Sequence, residues 1–271
     1  MSGAAPLPAD RWLMAEAPWP QGVQAGMTLR TGGVSVAPWD SWNLGDHVGD
    51  NPLAVASNRE RLTQALAARP VFCQQVHGTD VVRLVPVLSS TPCADAAWTA
   101  EPALACAMMV ADCLPLLLAS PDGASVAAVH AGWRGLAGQC GRGVLEALCE
   151  AWPPVQGRAG RRDTVVWLGP CIGPQAFEVG DEVRQAFVQA NPGAHACFQP
   201  LPPQDGAPKF LADLPALARR RLAALGFDSV HGNDGSPVWC TVSDSSRFFS
   251  HRRDHRRLGS TGRMAACIWR G

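Results

Sequence analysis

The chain has 271 residues, 47% of them hydrophobic, and a formal net charge of +0, so it can bury a large core. The balanced charge provides no broad basic surface, and we therefore expect no nucleic-acid partner. The most apolar stretch, residues 103–119, is interrupted by Asp112 and Pro115, which makes it too short to span a bilayer. We accordingly expect no membrane partner.

The N-terminal segment and the cysteines indicate domain organisation and compartment. Residues 1–26 are rich in Pro and Ala and predict an N-terminal arm, which leaves residues 27–271 as a single domain. The first residues lack the basic segment followed by an apolar one that marks a signal peptide. The chain has 10 cysteines and no Cys-x-x-Cys pair, a pattern typical of reduced core thiols. We expect a cytoplasmic protein.

Capping residues and apolar periodicity predict the secondary structure in chain order. Asn51 can cap a helix that begins at Pro52 and ends near Ala68. Further helices are predicted at residues 135–152 and 213–225, and another begins at residues 180–183. Strands are predicted at residues 27–30, 71–76, 81–87, 104–110, 114–118, 125–129, 164–168, 238–242 and 264–269. The Pro- and Gly-rich stretches at residues 153–160 and 200–208 predict surface loops.

Two imidazoles and one thiol stand at the polar ends of apolar runs: His77, Cys113 and His130. These are suitable ligands for a borderline-soft divalent metal, and three ligands leave a fourth tetrahedral position open for water or substrate. The spacings match no compact zinc-finger pattern. The residue chemistry alone therefore leaves an alternative to a metal site: the histidines are polar residues with ordinary hydrogen-bond partners, and the cysteine is a small core residue.

A set of ordered motifs resembles the YfiH family, laccase-domain proteins regarded as multifunctional purine nucleoside phosphorylases. The resemblance spans roughly residues 27–270. Its motifs are Arg30-Thr31-Gly32-Gly33-Val34-Ser35, Asn43-Leu44-Gly45, His47-Val48-Gly49-Asp50, Gln75-Val76-His77-Gly78, Ala111-Asp112-Cys113, Val129–Gly135, Gly169–Gly173 and Thr261-Gly262-Arg263-Met264. The family's metal ligands correspond to His77, Cys113 and His130, the residues already nominated by their chemistry.

The resemblance implies an α/β fold, a layered α/β/β/α sandwich with mixed sheets and a YfiH-like catalytic domain at residues 27–271. It also implies phosphorolysis of adenosine, inosine, guanosine and methylthioadenosine, together with deamination of adenosine. The expected partners are a purine nucleoside and phosphate. The expected metal is zinc, with copper possible, and a metal-activated water that attacks C6 of adenine would account for deamination.

Five further residues are candidates for substrate binding: Asn43, Arg59, Asp112, Arg134 and Cys171. The two arginines match phosphate oxygens bidentately, although Arg59 has a solvent-facing helix position as its alternative. Asp112 adjoins Cys113 and can either hydrogen-bond a metal ligand or act as an acid or base. The alternative is a turn residue at the end of a strand. Cys171 lies in a Gly-Pro-Cys-Ile-Gly-Pro loop, where a packed thiol is the alternative.

The chain departs from the family where tyrosines are frequent, because it contains none. Phe177 precedes Glu-Val-Gly, His251 precedes Arg252, and Trp42 stands where a smaller apolar residue is usual; these changes concern substrate preference. His251 and His255 stand among four arginines, a cluster that can bind phosphate or form a solvated basic surface.

Three rival functions come from other classes. A multicopper phenol oxidase needs His-x-His pairs, and the 7 histidines form none, so only a single-copper oxidase stays open. A metal-free hydrolase that uses Cys113 and His130 is disfavoured because Asp112 opposes thiolate formation. A peptidoglycan-editing role, attached to some relatives, is neither supported nor excluded by the residues.

Overall fold

A computed structural model describes residues 8–271 of the chain. The strands are β1 (Trp12–Met14), β2 (Val23–Thr28), β3 (Arg69–Phe72), β4 (Val81–Arg83), β5 (Ala96–Thr99), β6 (Leu104–Val110), β7 (Leu114–Ala119), β8 (Val126–Ala131), β9 (Val165–Leu168), β10 (Glu178–Gly180), β11 (Phe198–Gln204), β12 (Ala207–Ala212), β13 (Ser229–Gly232) and β14 (Met264–Arg270). The helices are α1 (Pro52–Leu66), α2 (Trp133–Ala137), α3 (Val144–Ala151), α4 (Arg158–Asp163), α5 (Asp181–Val188), α6 (Leu214–Leu225) and α7 (His251–Leu258).

Two large mixed sheets dominate the described part of the chain. One has the strand order β1-β2-β14-β6-β3 and the other the order β13-β9-β7-β8-β5-β4, while β10, β12 and β11 form a smaller sheet. Most neighbours are antiparallel, but β3 pairs with β6, β4 with β5 and β13 with β9 in parallel. The segment predicted as an arm contributes β1 and most of β2, and the strand predicted at residues 27–30 begins at Val23.

The central core lies between the two large sheets. Along β7, Leu117 and Ala119 pack into this inter-sheet core, whereas Leu114, Leu116 and Leu118 pack on the opposite face. Every residue of β6, β7 and β8 is buried, as expected for strands covered on both faces. Burying one such leucine stabilises the fold by about 1.5–3 kcal/mol.

Helices cover the outer faces of both sheets. The helix α1 packs outside the five-stranded sheet through Leu62 and Leu66. Its predicted cap is present, because the Asn51 side chain accepts a hydrogen bond from the amide of Leu53. The helices α2, α3 and α6 pack outside the six-stranded sheet. These layers confirm the predicted α/β/β/α sandwich.

Four predictions of local structure are wrong. Residues 153–160, predicted as a surface loop, contain the 3₁₀ turn Pro153–Val155 and the first residues of α4. Residues 200–208 form most of the hairpin β11–β12, whose turn residues Asp205 and Gly206 both have positive φ. Residues 238–242 form no strand, because Pro237–Trp239 is a 3₁₀ turn. The helix predicted at residues 135–152 is interrupted between α2 and α3. Gly138 has a φ of +64°, and a side chain there would collide with the Arg142 carbonyl, so the helix cannot continue.

Two further findings concern the helices and the cysteines. Within residues 8–271, no helix combines the length and the apolarity that a bilayer span requires. All ten cysteines are free thiols.

Candidate metal and substrate site

The three nominated residues meet at one end of the inter-sheet core. Cys113 lies in the short turn between β6 and β7, and His130 lies near the end of β8. The register of β7 and β8 places Pro115 opposite His130, so the thiol stands close to the imidazole. His77 comes from the segment between β3 and β4 and has a φ of +59°. The ligand atoms of the three residues all lie within 4.8 Å of one another.

A buried carboxylate, Asp95, fixes two of these residues. Its oxygens accept hydrogen bonds from the amides of Val76, His77 and Gly78 at 3.1, 3.0 and 2.7 Å. They also accept the Nδ1 proton of His130 at 2.8 Å. This last bond leaves Nε2 of His130 available for ligation, which is the usual function of a carboxylate behind a metal-bound histidine. Asp95 therefore sets both the path of the His77 segment and the tautomer of His130.

Gly132 provides the space in which the ligands meet. A Cβ atom at this position would lie 2.9 Å from Cδ2 of His77 and 3.1 Å from Sγ of Cys113. Those distances are shorter than normal van der Waals contact, so any side chain would push the ligands away. The glycine of the His-Ala-Gly-Trp motif is thus required by the close approach of His77 and Cys113.

The ligands polarise one another. Burial opposes charge on the Cys113 thiol, but the imidazoles of His130 and His77 outweigh it and lower the pKa of the thiol to about 6. Burial likewise opposes charge on His130, and the Cys113 thiolate and Asp95 raise its pKa to about 9. Cys113 Sγ lies 3.7 Å from Nε2 of His77. The group therefore favours a thiolate, the form of cysteine that binds metals.

This donor set can hold a metal ion. One thiolate and two imidazoles suit borderline divalent cations, and the two rings lie with centroids 4.8 Å apart at an interplanar angle of 76°. Among residues 8–271, no fourth His, Cys, Asp or Glu joins the group. Three protein ligands with one open position are typical of catalytic metal sites, whereas structural sites are closed by four.

The ligands open into a cavity of about 330 Å³, within the size range of small-molecule sites. Its walls combine apolar and aromatic side chains with a few polar ones. The residues besides the ligands are His47, Gln75, Met109, Ala111, Asp112, Trp133, Ile172, Phe177, Leu214, His251, Arg252 and Arg263. The cavity is therefore suited to a planar, largely apolar molecule with a few polar contacts.

Asp112 lines the cavity and has a φ of +87°. Its carboxylate accepts hydrogen bonds from Thr241 Oγ1 at 2.5 Å, Ser250 Oγ at 3.1 Å and the amide of Arg252 at 2.6 Å. These bonds attach the start of α7 to the β6–β7 turn. Asp112 thus supports the wall that carries His251 and Arg252, while Asp95 is the carboxylate that supports the ligands.

Two of the candidate substrate residues, Asn43 and Arg59, lie outside this cavity. Asn43 is buried, and its side chain bonds the backbone of Gly45 and Arg263. Arg59 forms an ion pair with Asp46 at 3.2 Å, donates to the Leu44 carbonyl and lies over the Phe72 ring in a neighbouring cleft.

The other two, Arg134 and Cys171, also lie outside it. Arg134 stacks on Trp133 and lines a separate surface groove beyond His77. Cys171 is fully buried, and its thiol donates to the Ile172 carbonyl. The side chain that lines the cavity from this loop is that of Ile172. The structure therefore brings only Asp112 of the five candidates to the cavity.

Sequence reasoning missed Asp95, and it gave no role to His47 or Arg263. Asp95 directly precedes the apolar run of β5, the same kind of position that singled out the ligands. His47 and Arg263 belong to the quoted motifs His-Val-Gly-Asp and Thr-Gly-Arg-Met. Membership of these motifs could have identified the two cavity residues, whereas a histidine or an arginine by itself does not indicate a site.

Comparison with known proteins identifies the family of this chain. The family model described as "Multi-copper polyphenol oxidoreductase laccase" matches residues 24–271. The chain belongs to this family. The laccase-domain family includes curated relatives with other names: "Purine nucleoside phosphorylase PA4543" of Pseudomonas aeruginosa is 49% identical over 260 residues, covering 96% of this chain and 98% of that protein.

Two more laccase-domain relatives cover nearly the whole chain. "Purine nucleoside phosphorylase YfiH" of Escherichia coli is 45% identical over 264 residues, 96% of this chain and 99% of that protein. The crystal structure of protein NMB0706 from Neisseria meningitidis superimposes with a TM-score of 0.84 at 42% identity, covering 96% of this chain and 99% of that one. These likenesses confirm the resemblance to the YfiH family.

Proposed function

We propose that this protein is a metal-dependent purine nucleoside phosphorylase that also deaminates adenosine. The proposal depends mainly on the group formed by His77, Cys113 and His130, which lies at one wall of a 330 Å³ cavity. These three ligands would leave the fourth coordination position of a metal open to the cavity. Relatives named purine nucleoside phosphorylase support the reaction class. Adenosine, inosine, guanosine and methylthioadenosine are the substrates we expect.

The metal we propose is zinc, held by His77, Cys113 and His130. When bound, zinc would act as a Lewis acid toward substrate or water. Asp95 keeps the Nδ1 proton of His130 in place and so keeps Nε2 directed to the ligand group. Asp95 also holds the segment around His77 through hydrogen bonds from three consecutive backbone amides.

The remaining walls bind and orient the nucleoside. Trp133 and Phe177 offer aromatic faces for a purine, and Ile172 and Leu214 exclude water around it. Phe177 lacks the hydroxyl that a tyrosine would carry, so base recognition on that side depends on stacking. In phosphorolysis, an oxygen of hydrogen phosphate bonds to C1′ of the ribose and the bond from C1′ to the purine nitrogen breaks. The proton that the phosphate loses goes to the departing base.

The decisive experiment incubates metal-loaded protein with adenosine and inorganic phosphate and separates the products by liquid chromatography. We expect adenine and ribose 1-phosphate, and a smaller amount of inosine, which needs water but no phosphate. The matched pair of variants is Cys113→Ser, which removes a ligand, and Cys93→Ser, which changes an exposed thiol outside the cavity. Only the first should abolish product formation.

Two outcomes contradict the proposal. Base release that does not depend on phosphate would indicate a hydrolase. Oxidation of phenols by copper-loaded protein, with no base release from any of the four nucleosides, would favour the single-copper oxidase.

A further inference from the structure

One charged side chain in the cavity has unused hydrogen-bonding capacity. The Arg263 guanidinium donates only through Nη1, to the carbonyls of Thr261 at 3.2 Å and Gly262 at 3.1 Å. Within residues 8–271 it has no ion-pair partner. The buried, unpartnered side-chain nitrogens of that range are Arg161 Nε and Trp167 Nε1, so Nε and Nη2 of Arg263 are accessible.

The position of Arg263 is fixed from two sides. Its backbone amide donates to Asn43 Oδ1 at 2.8 Å, and its carbonyl accepts from the amide of Leu44. Its aliphatic stem packs against Gly45, where an added Cβ would lie 2.8 Å from Cγ of Arg263. The guanidinium is therefore held in one place before any ligand arrives, which lowers the entropic cost of binding.

Two histidines line the same cavity as Arg263. They are His47, from the segment after Asn43, and His251, the first residue of α7. Burial and the nearby positive charge of Arg263 lower the pKa of both imidazoles. Near neutral pH each neutral ring has one donor and one acceptor, which suit the unprotonated and the protonated oxygens of phosphate. Nδ1 of His47 also lies 3.5 Å from the carboxylate of Asp46.

We propose that Arg263, flanked by His47 and His251, forms a binding subsite for inorganic phosphate inside the cavity. The assignment rests on the proposed phosphorolysis, for which it supplies the phosphate position. A guanidinium with two free nitrogens matches phosphate oxygens in a bidentate manner, and a partly enclosed site strengthens that contact.

The other arginines around the site are already engaged. Arg252 donates through Nη1 to the carbonyls of Ala176 and Glu178 and through Nη2 to that of Glu178, so both terminal nitrogens already have acceptors. Arg59 is neutralised by Asp46, and Arg134 lies outside the cavity over Trp133. Arg263 is therefore the arginine best placed to bind an anion beside a nucleoside.

The test measures binding of radiolabelled inorganic phosphate to metal-loaded protein by equilibrium dialysis, together with the KM for phosphate and for adenosine. We expect Arg263→Gln to weaken phosphate binding and raise the phosphate KM by about 10–100-fold, while the adenosine KM and the metal content stay near their original values. The matched control is Arg162→Gln, an exposed arginine of α4, which should change neither value.

A second variant guards against misfolding of the first. His251→Ala changes an exposed side chain at the start of α7, and we expect it to weaken phosphate binding by about 2–10-fold. Phosphate binding unaltered in both variants overturns the inference. So does a larger loss in Arg59→Gln or Arg134→Gln than in Arg263→Gln.

The same measurements separate this inference from the proposed function. If the unaltered protein forms no ribose 1-phosphate but binds phosphate through Arg263, the proposed function fails and the subsite stands. If the unaltered protein phosphorolyses adenosine and Arg263→Gln keeps its phosphate affinity, the subsite fails alone. A phosphate monoester offers the same chemistry, so Arg263-dependent binding of adenosine 5′-monophosphate without binding of inorganic phosphate also overturns the assignment.

Discussion

Two buried carboxylates near the same cavity, Asp95 and Asp112, support different parts of its wall. Asp95 bonds three consecutive amides around His77 and the ring of His130. Asp112 is next to Cys113 in sequence, yet its bonds go to Thr241, Ser250 and the start of α7. Adjacency to a ligand in sequence was therefore a poor guide to which carboxylate supports the ligands.

The difference defines two regions with separate tasks. The ligand wall consists of His77, Cys113 and His130, held by Asp95. The basic wall consists of the arginines Arg252 and Arg263 and the neutral imidazoles of His47 and His251, with α7 held by Asp112. If the two regions act separately, damage to one should alter metal binding and damage to the other should alter stability and anion binding.

The largest effect should follow removal of a ligand. Cys113→Ala leaves two imidazoles, which bind divalent metals far more weakly than a set with a thiolate. We expect the purified variant to contain no bound metal by elemental analysis and to show only background activity. Cys93→Ala should keep full metal content. Normal metal loading in Cys113→Ala would mean that the site uses other residues.

Asp95→Asn should lower metal affinity by about 10–100-fold, because an amide cannot accept all four hydrogen bonds and His130 loses its orienting partner. Competition with a chelator measures the affinity. The control Asp205→Asn changes a turn residue in the left-handed region, a conformation that Asn tolerates. An unchanged affinity in Asp95→Asn would show that the ligands are oriented without this carboxylate.

Gly132→Ala tests how tightly the ligand wall is packed. The added methyl group would press on His77 and Cys113, at a cost of about 1–3 kcal/mol that we expect as weaker metal binding. Gly157→Ala is the matched control, since nothing lies within 4 Å of its added Cβ. Equal metal affinity in both variants would contradict the crowding described here.

Asp112→Asn should leave metal content unchanged and lower the free energy of unfolding by about 1–3 kcal/mol, because a buried amide replaces a carboxylate with three partners. Chemical denaturation measures the stability. The division into two walls breaks down if Asp112→Asn loses metal as readily as Asp95→Asn does.

The smallest effect concerns alkylation of the metal-free protein. Because the His130 and His77 imidazoles overcome burial and lower the pKa of Cys113 to about 6, its thiolate form predominates above that pH. The rate of modification by iodoacetamide should be half-maximal near pH 6 and should fall as the pH falls further. Cys73, whose pKa burial raises to about 12, serves as the internal reference. A half-maximal rate above pH 8 at Cys113 would show that the imidazoles do not stabilise the thiolate.

The sequence predicted those parts whose signals are local. The run Leu104–Val110 is apolar throughout and is a strand with the predicted bounds, and Asn51 caps α1 as expected. The hairpin at residues 200–208 was missed because prolines obscured its strands, although Asp205-Gly206 is a typical signal for a tight hairpin turn.

The site was predictable only in its donor atoms. The nature of His77, Cys113 and His130 was sufficient to nominate them. The residues that support the site could not be predicted from the sequence. The partners of Asp112 lie 129 to 140 residues away, and Asp95 reaches His130 across the pairing of β5 with β8. Arg59 and Arg134 show the converse, since suitable chemistry does not place a side chain in a cavity.

The turn that carries Cys113 joins a strand of one large sheet to a strand of the other. A metal ion held there would be a reversible cross-link between both sheets and the segment containing His77. A ligand that binds only the folded chain stabilises it by mass action, by about 4.1 kcal/mol when its free concentration is 1,000 times Kd. Thermal melting can therefore serve as a gauge of metal occupancy, with the unloaded protein melting first.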